Sequence, residues 1–342
     1  MSTERIINPE EQGKSFAVKY DESVPGYGLL KVESSEEFRQ IPVYSIRNPD
    51  HHKLIAKSIS SGAPGAFEAA GVIGILIAVK DSRAGDDSYE QFWKIKRGRQ
   101  SQDKVPMMLP PRHQWSIVDF DELHPDFRYL KDSKNREKFY GQLPLHVIWP
   151  FKETASNVNR KAFVTTKEDY DNKPEDQRVG VSTVCIYFQD DEDWRRVAEF
   201  GKRFNPHVFF GISSFNDHGE QPPFDFEELM QYVRLKQRVD FDYVIRDSIA
   251  TNANIKSSHT QIRPPLWYES PEIRVVRRGP VSAETISAHT GHPVITLKSA
   301  RLASRGHPED VNLDPNVFKY INDANLHIQQ RKKSKRHEKV YV

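Results

Sequence analysis

Residues Val72 to Val79 read VIGILIAV, an unbroken apolar run in a chain of 342 residues whose mean hydropathy is −0.70. Closing the segment FEAAGVIGILIAV, the run has the length and β-branched content of a strand shielded from water. It falls well short of the roughly 18 residues that a membrane-spanning helix requires. A strand of this kind needs other elements packed over it, so the chain must fold in layers. The size allows it, since a chain this long buries roughly three quarters of its unfolded surface.

The flanking pattern supplies those layers. A helical stretch, HHKLIAKSISS, precedes the run. A second helix is predicted around Tyr89, Phe92, Trp93 and Ile95, with Asp86-Asp87-Ser88 as its cap. LPLHVIWPF, VGVSTVCIYF, HVFFGIS, FDYVIRD and EIRVVRRG read as strands, and WRRVAEFGKRF reads as a helix ended by Asn205-Pro206. A further helix begins at Asp225, with Glu228 in capping-box position. The expected class is α/β, mixed α+β. Residues 1–47 read as an N-terminal extension, 48–287 as the main domain with an exposed insertion at 151–177, and 288–342 as a C-terminal extension.

Charge is unevenly spread. The net charge is +2, yet Arg331–Lys339 holds six Lys/Arg against one Glu, a local +5 that leaves the remainder at −3. The basic balance therefore describes a tail, expected to be solvated, and not the body. One cysteine, Cys185, excludes an internal disulfide and suits a buried strand residue in a reducing compartment. No apolar leader is evident in MSTERIINPEEQGKS, so the expected location is the cytoplasm, with the nucleus as the alternative that the basic tail offers, and no membrane partner.

Three places carry residues suited to chemistry. In KIKRGRQSQDK, Lys94, Lys96, Arg97 and Arg99 follow a helix, and Gly98 allows close approach of a ligand; such cations suit polyphosphate or carboxylate groups, and equally a solvated helix end. In HVFFGISSFNDHGEQPP a buried strand runs into Ser214 and Asn216, which two-residue spacing sends to one side at a strand end; a polar turn is the plainer alternative. The third is IKSSHTQIRPP followed by EIRVVRRGPVSAE. His289 and His292 (HTGH) lack an evident third ligand, so no metal is expected there.

Taken in order, these elements resemble the YrdC-like family, which includes the threonylcarbamoyl-adenylate synthases and is marked by K-x-R paired with S-x-N. Ser214, Asn216 and Gly219 match the S-x-N-x-x-G element. Ser257, Ser258 and Thr260 match the P-S-T-V segment in part, and Arg278-Gly279 with Ser282 match the R-x-G-x-x-S ending. The resemblance implies a three-layer fold, a twisted sheet of parallel and antiparallel strands with helices on both faces, and a basic cleft. It implies an ATP-dependent, carbamoyl-adenylate-forming nucleotidyltransferase, with ATP, Mg²⁺ carried on the ATP phosphates and bicarbonate as co-substrate. A small amine or amino acid would be the acceptor, in tRNA modification or specialised metabolism. Lys96 and Arg99 would hold bicarbonate-derived and phosphate oxygens, and Ser214 and Asn216 would fix the nucleotide, all four as catalytic groups. Arg97, Ser258, Thr260 and Arg278 would line the nucleotide side.

The pattern also departs from the family. Lys96-Arg97-Gly98-Arg99 carries one residue more than K-x-R, so Arg97 with Arg99 is an equal alternative pair. In place of the P-T-E/D-T-x-Y-G-L strand end stands Leu76 to Ser82, which puts Lys80 in the substrate pocket. The other reading is a non-catalytic protein that binds a nucleotide or double-stranded RNA, through the cleft or residues 331–339.

Overall fold

The computed structural model describes residues 16–24, 27–34, 38–69, 72–80, 95–96, 104–109, 114–140, 143, 145–155, 158–172, 180, 182–188, 192–204, 208–217, 220–247 and 259–302. The strands are β1 Ala17–Val24, β2 Tyr27–Glu33, β3 Phe38–Ser45, β4 Gly65–Ala69, β5 Val72–Lys80, β6 Met107–Leu109 and β7 Leu145–Pro150. They continue with β8 Val164–Thr165, β9 Thr183–Phe188, β10 Val208–Ser214, β11 Tyr243–Arg246, β12 Thr260–Arg263, β13 Ile273–Arg278 and β14 Val294–Leu302. The helices are α1 His52–Ser60, α2 Ser133–Tyr140, α3 Arg160–Phe163, α4 Lys167–Asp171, α5 Glu192–Phe204, α6 Phe226–Lys236 and α7 Ala283–Thr290.

One mixed sheet joins the strands in the order β1-β2-β3-β11-β4-β5-β10-β6-β9-β7-β12-β13-β14, with β8 beside β9. β11 lies between β3 and β4 and runs parallel to both. The apolar run is buried on two sides, as strand alternation requires. Ile73, Ile75, Ile77 and Val79 enter one core with Leu229 and Val233 of α6 and Ile286 of α7. Leu76 and Ala78 enter the other, with Ile55 and Ile59 of α1 and Val197 of α5. The layers expected from sequence are therefore present, with helices on both faces of a mixed sheet.

The run forms β5, and the approach to it forms a further strand, β4, paired antiparallel with it. Small residues permit this. Gly74 lies opposite Phe67, and a Cβ at Gly74 would stand 2.3 Å from Cε1 of that ring. The N-terminal stretch read as an extension supplies three strands, with β3 joined to β11 and Arg47 drawn into a buried cluster. Arg47 pairs with Asp247 through Nε (2.9 Å) and Nη2 (2.6 Å) and with Asp193 through Nη1 (3.1 Å). The stretch read as an exposed insertion also docks: Val158, Ala162, Phe163 and Val164 are buried, and β8 pairs with β9. Asp225 caps α6 by accepting the Glu228 amide (2.8 Å), while the Glu228 carboxylate reaches back to the Phe224 amide (3.0 Å).

Candidate functional site

The end of β10 is held where strand geometry predicts. Ser214 stands opposite Gly74 of β5, and the Phe215 amide donates to Ile73 O (2.9 Å). Phe215 turns into the core against Tyr232 and Phe241, so Ser214 and Asn216 emerge together on the other side. Ile95 packs into the first core and sends the next residue, Lys96, to this point. Lys96 is 1% exposed. Its Nζ donates to Asn216 O (2.9 Å), Asn216 Oδ1 (3.1 Å) and Ser214 O, with Ser214 Oγ at 3.5 Å.

The Asn216 amide has a fixed orientation. Its Oδ1 accepts from Ser214 Oγ (2.6 Å) as well as from Lys96, while Nδ2 donates to Asp217 O (3.0 Å) and Glu220 O (2.6 Å). Asp217 is anchored in turn by Arg238 (2.7 Å) and Lys236 (3.4 Å), and Lys236 also reaches Glu220 (2.5 Å). Burial would raise the Asp217 carboxyl, but these two cations hold it below its ordinary range. An ammonium has three protons, and here four protein oxygens surround it. Lys96 thus ties a chain segment remote in sequence to the Ser214–Asn216 turn.

A second polar group crosses β9, β7, β12 and β13. The register sets Tyr187, His146, Gln261 and Arg277 side by side, on one face of the sheet. Tyr187 and His259 stack with ring centres 4.7 Å apart, and His146 lies 5.1 Å from Tyr187 and 5.2 Å from His259. Cys185 Sγ accepts from Gln261 Nε2 (3.0 Å) and stands 4.0 Å from His146 Nδ1. Arg277 donates through Nε (3.3 Å) and Nη2 (2.9 Å) to His259 O. Burial pushes the Cys185 thiol up to about 11, which makes it unreactive at neutral pH. The same pairing continues from Tyr187 through Met108 to Phe210, and Ser214 lies two alternations beyond Phe210. Both polar groups therefore rise from the face that also carries α1 and α5.

Of the residues singled out in the sequence, Lys96, Ser214 and Asn216 come together. Lys80 does not join them. It ends β5 opposite Val208, six positions from the Gly74–Ser214 pair, or about 20 Å along a strand. Thr260 is fully buried, and its hydroxyl both donates to Val281 O (2.9 Å) and accepts from Val281 N (3.0 Å). That exchange clamps β12 to the start of α7 and leaves the hydroxyl turned to the protein. Arg278 is half-buried and donates Nε–H to Ala300 O (3.2 Å), while Ser282 caps α7. Arg97, Arg99, Ser257, Ser258, Gly219 and the basic tail lie outside the described residues. His289 and His292 go separate ways, His289 to Lys138 O (2.7 Å) and His292 to Tyr129 Oη (3.1 Å). Among the described residues no group of three His, Cys, Asp or Glu is placed to hold a metal ion, and no helix is long and apolar enough to cross a membrane.

Sequence reasoning passed over His146, although the alternation in LPLHVIWPF marks it: Leu145, Val147 and Trp149 face the first core, which leaves His146 on the opposite side.

No protein-family model and no curated protein matches the sequence. Solved structures match in fold. P. abyssi Sua5 complexed with L-threonine gives a TM-score of 0.51 at 16% identity, covering 78% of this chain and 68% of that chain. A doubly substituted P. abyssi Sua5 gives 0.50 at 16% identity, over 74% of this chain and 65% of that one. This chain thus spans about two thirds of the length of the Sua5 chains it matches. The shared mixed sheet, with helices on both faces, makes this chain a divergent example of the Sua5/YrdC-like fold.

Proposed function

We propose that this chain binds ATP and forms or uses a carbamoyl-adenylate, with bicarbonate as co-substrate and a small amine or amino acid as acceptor. The observation that carries this reading is the meeting of Lys96 with Ser214 and Asn216, which joins the cationic segment to the strand-end turn across 118 residues. The Sua5 fold, one example of which is complexed with L-threonine, supports an amine-bearing acceptor. In this reading Lys96 is the lysine of the family's K-x-R element and shapes the turn, while Arg97 and Arg99 supply charge to carbamate and phosphate oxygens. Mg²⁺ would arrive on the ATP phosphates, where it neutralises charge that develops on the leaving pyrophosphate.

The test is pyrophosphate release from ATP with bicarbonate and Mg²⁺, adding a panel of amines and amino acids, threonine included, one at a time. Release stimulated by one amine supports the reading and identifies the acceptor. ATP binding without release for any of them overturns it. The second reading, a non-catalytic nucleotide- or double-stranded-RNA-binding protein, is favoured by the complete engagement of Lys96 and Asn216 with protein atoms. It predicts affinity for duplex RNA that falls with salt and with removal of residues 331–342.

A further inference from the structure

We propose that His146 is a neutral hydrogen-bond donor to an oxyanion, of the carboxylate, carbamate or phosphate type, and that Gln261 and Cys185 set its tautomer. His146 is only 8% exposed, yet among the described residues its one hydrogen-bonding neighbour is the Cys185 thiol, at Nδ1. Nε2 has no protein partner there. Nε2 is also not among the fully buried unpaired side-chain atoms, so a ligand or water is left to complete it.

The direction of the bonds follows from the chemistry of each group. The Gln261 amide can only donate through Nε2, so the Cys185 sulfur accepts that hydrogen. That leaves the thiol hydrogen free to turn toward His146 Nδ1, 4.0 Å away, and with Nδ1 as the acceptor the imidazole proton resides on Nε2. A relay from Gln261 through Cys185 to His146 thus presents one N–H outward from the sheet. Other titratable and charged groups around the ring are Tyr187, His259 and Arg277. Burial first, then repulsion from His259 and Arg277, holds His146 well below the ordinary histidine range. It stays uncharged at neutral pH, and the same positive surroundings favour an anion as its partner. Beside it Cys185, Gln261 and Arg277 are each partly exposed.

The assignment rests on this face taking the anions of the proposed reaction, and its test is independent of turnover. The full chain, with ¹⁵N-labelled histidine, is titrated with inorganic pyrophosphate and, separately, with acetate, so that phosphoryl and carboxylate oxygens are distinguished. The His146 ring is expected to carry its proton on Nε2 at neutral pH and to respond to one probe. His146→Leu should weaken that probe about ten- to hundredfold, the span of a charge-assisted hydrogen bond. His146→Gln keeps an N–H donor and should restore most of the affinity. A proton on Nδ1, no response to either probe, or equal affinity in His146→Leu overturns the proposal. If His146→Leu fails to fold, Cys185→Ala serves: loss of the Nε2–H preference with weaker binding supports the relay, and an unchanged ring refutes it. Anion binding that depends on His146, with no amine-stimulated pyrophosphate release, would sink the carbamoyl-adenylate reading alone. Amine-stimulated release by the parent chain, together with equal anion affinity in His146→Leu, would sink this one alone.

Discussion

Lys96 shows how one residue can be visible in a sequence for one reason and occupied in the fold for another. Its place in a cationic cluster marks it as an anion ligand, but its ammonium is spent on Ser214 and Asn216. Removing it strands buried oxygens that lose both a charge and three donors. We expect Lys96→Ala to destabilise the protein by about 3 kcal/mol, measured by urea unfolding, since uncompensated buried polar groups cost about that much. A change below about 0.5 kcal/mol, ordinary for an exposed lysine, would refute the engaged geometry. Thr260 makes the same point from the other side. A Ser-Ser-x-Thr segment suggests hydroxyls for a nucleotide, but a hydroxyl at a fully buried position beside a free backbone pair at Val281 finds protein first. Motif spacing locates such residues without telling which way their polar atoms turn.

At the level of elements, most strands and helices were legible because their alternation is set by burial on known faces. α5, α6, β7, β9 and β10 fall where periodicity puts them. The division into β4 and β5 was not, since the sequence stays apolar from Ala69 into the run, and Gly74, yielding room to Phe67, marks the close pairing. The hairpin β12–β13 has a different device. Glu269 accepts from Arg263 (2.7 and 2.8 Å), Arg274 (2.9 Å) and the Leu266 amide (2.8 Å), bracing a tip that holds Trp267 and Tyr268 in solvent. Burial would raise the Glu269 carboxyl, but Arg263, the Leu266 amide and Arg274 hold it below its ordinary value. A depressed carboxyl adds stability above the unfolded value of about 4.3 and loses it as pH falls through the folded value. Glu269→Gln should therefore lower the thermal midpoint at neutral pH, with a gap from the parent that narrows as pH falls below that unfolded value. A gap that stays constant with pH would show that the bracing is not ionic.

For the molecule as a whole, composition and the apolar run foretold layers, and a mixed sheet with helices on both faces is what formed. The boundaries were less legible, because sequence position does not reveal which distant strand a segment will join. β3 pairs with β11, and Arg47 closes a buried cluster with Asp193 and Asp247, so the first strands are bound into the sheet. A chain beginning at residue 48 loses that pairing and leaves two buried carboxylates without their guanidinium. We expect it to be insoluble or to lack a cooperative thermal transition, and a cooperative midpoint within a few degrees of the full chain would refute this.

The placement of β11 has a consequence for how such a chain comes to exist. Its slot lies between β3 and β4, both complete by Ala69, while Tyr243 is the first residue able to fill it. At a synthesis rate of roughly 5–20 residues per second, two strands wait on the order of ten to forty seconds with facing edges unsealed. During that interval their backbone amides and carbonyls are free to recruit any other strand, from this chain or another. The sheet therefore closes at its centre late, with a strand made long after both of its neighbours.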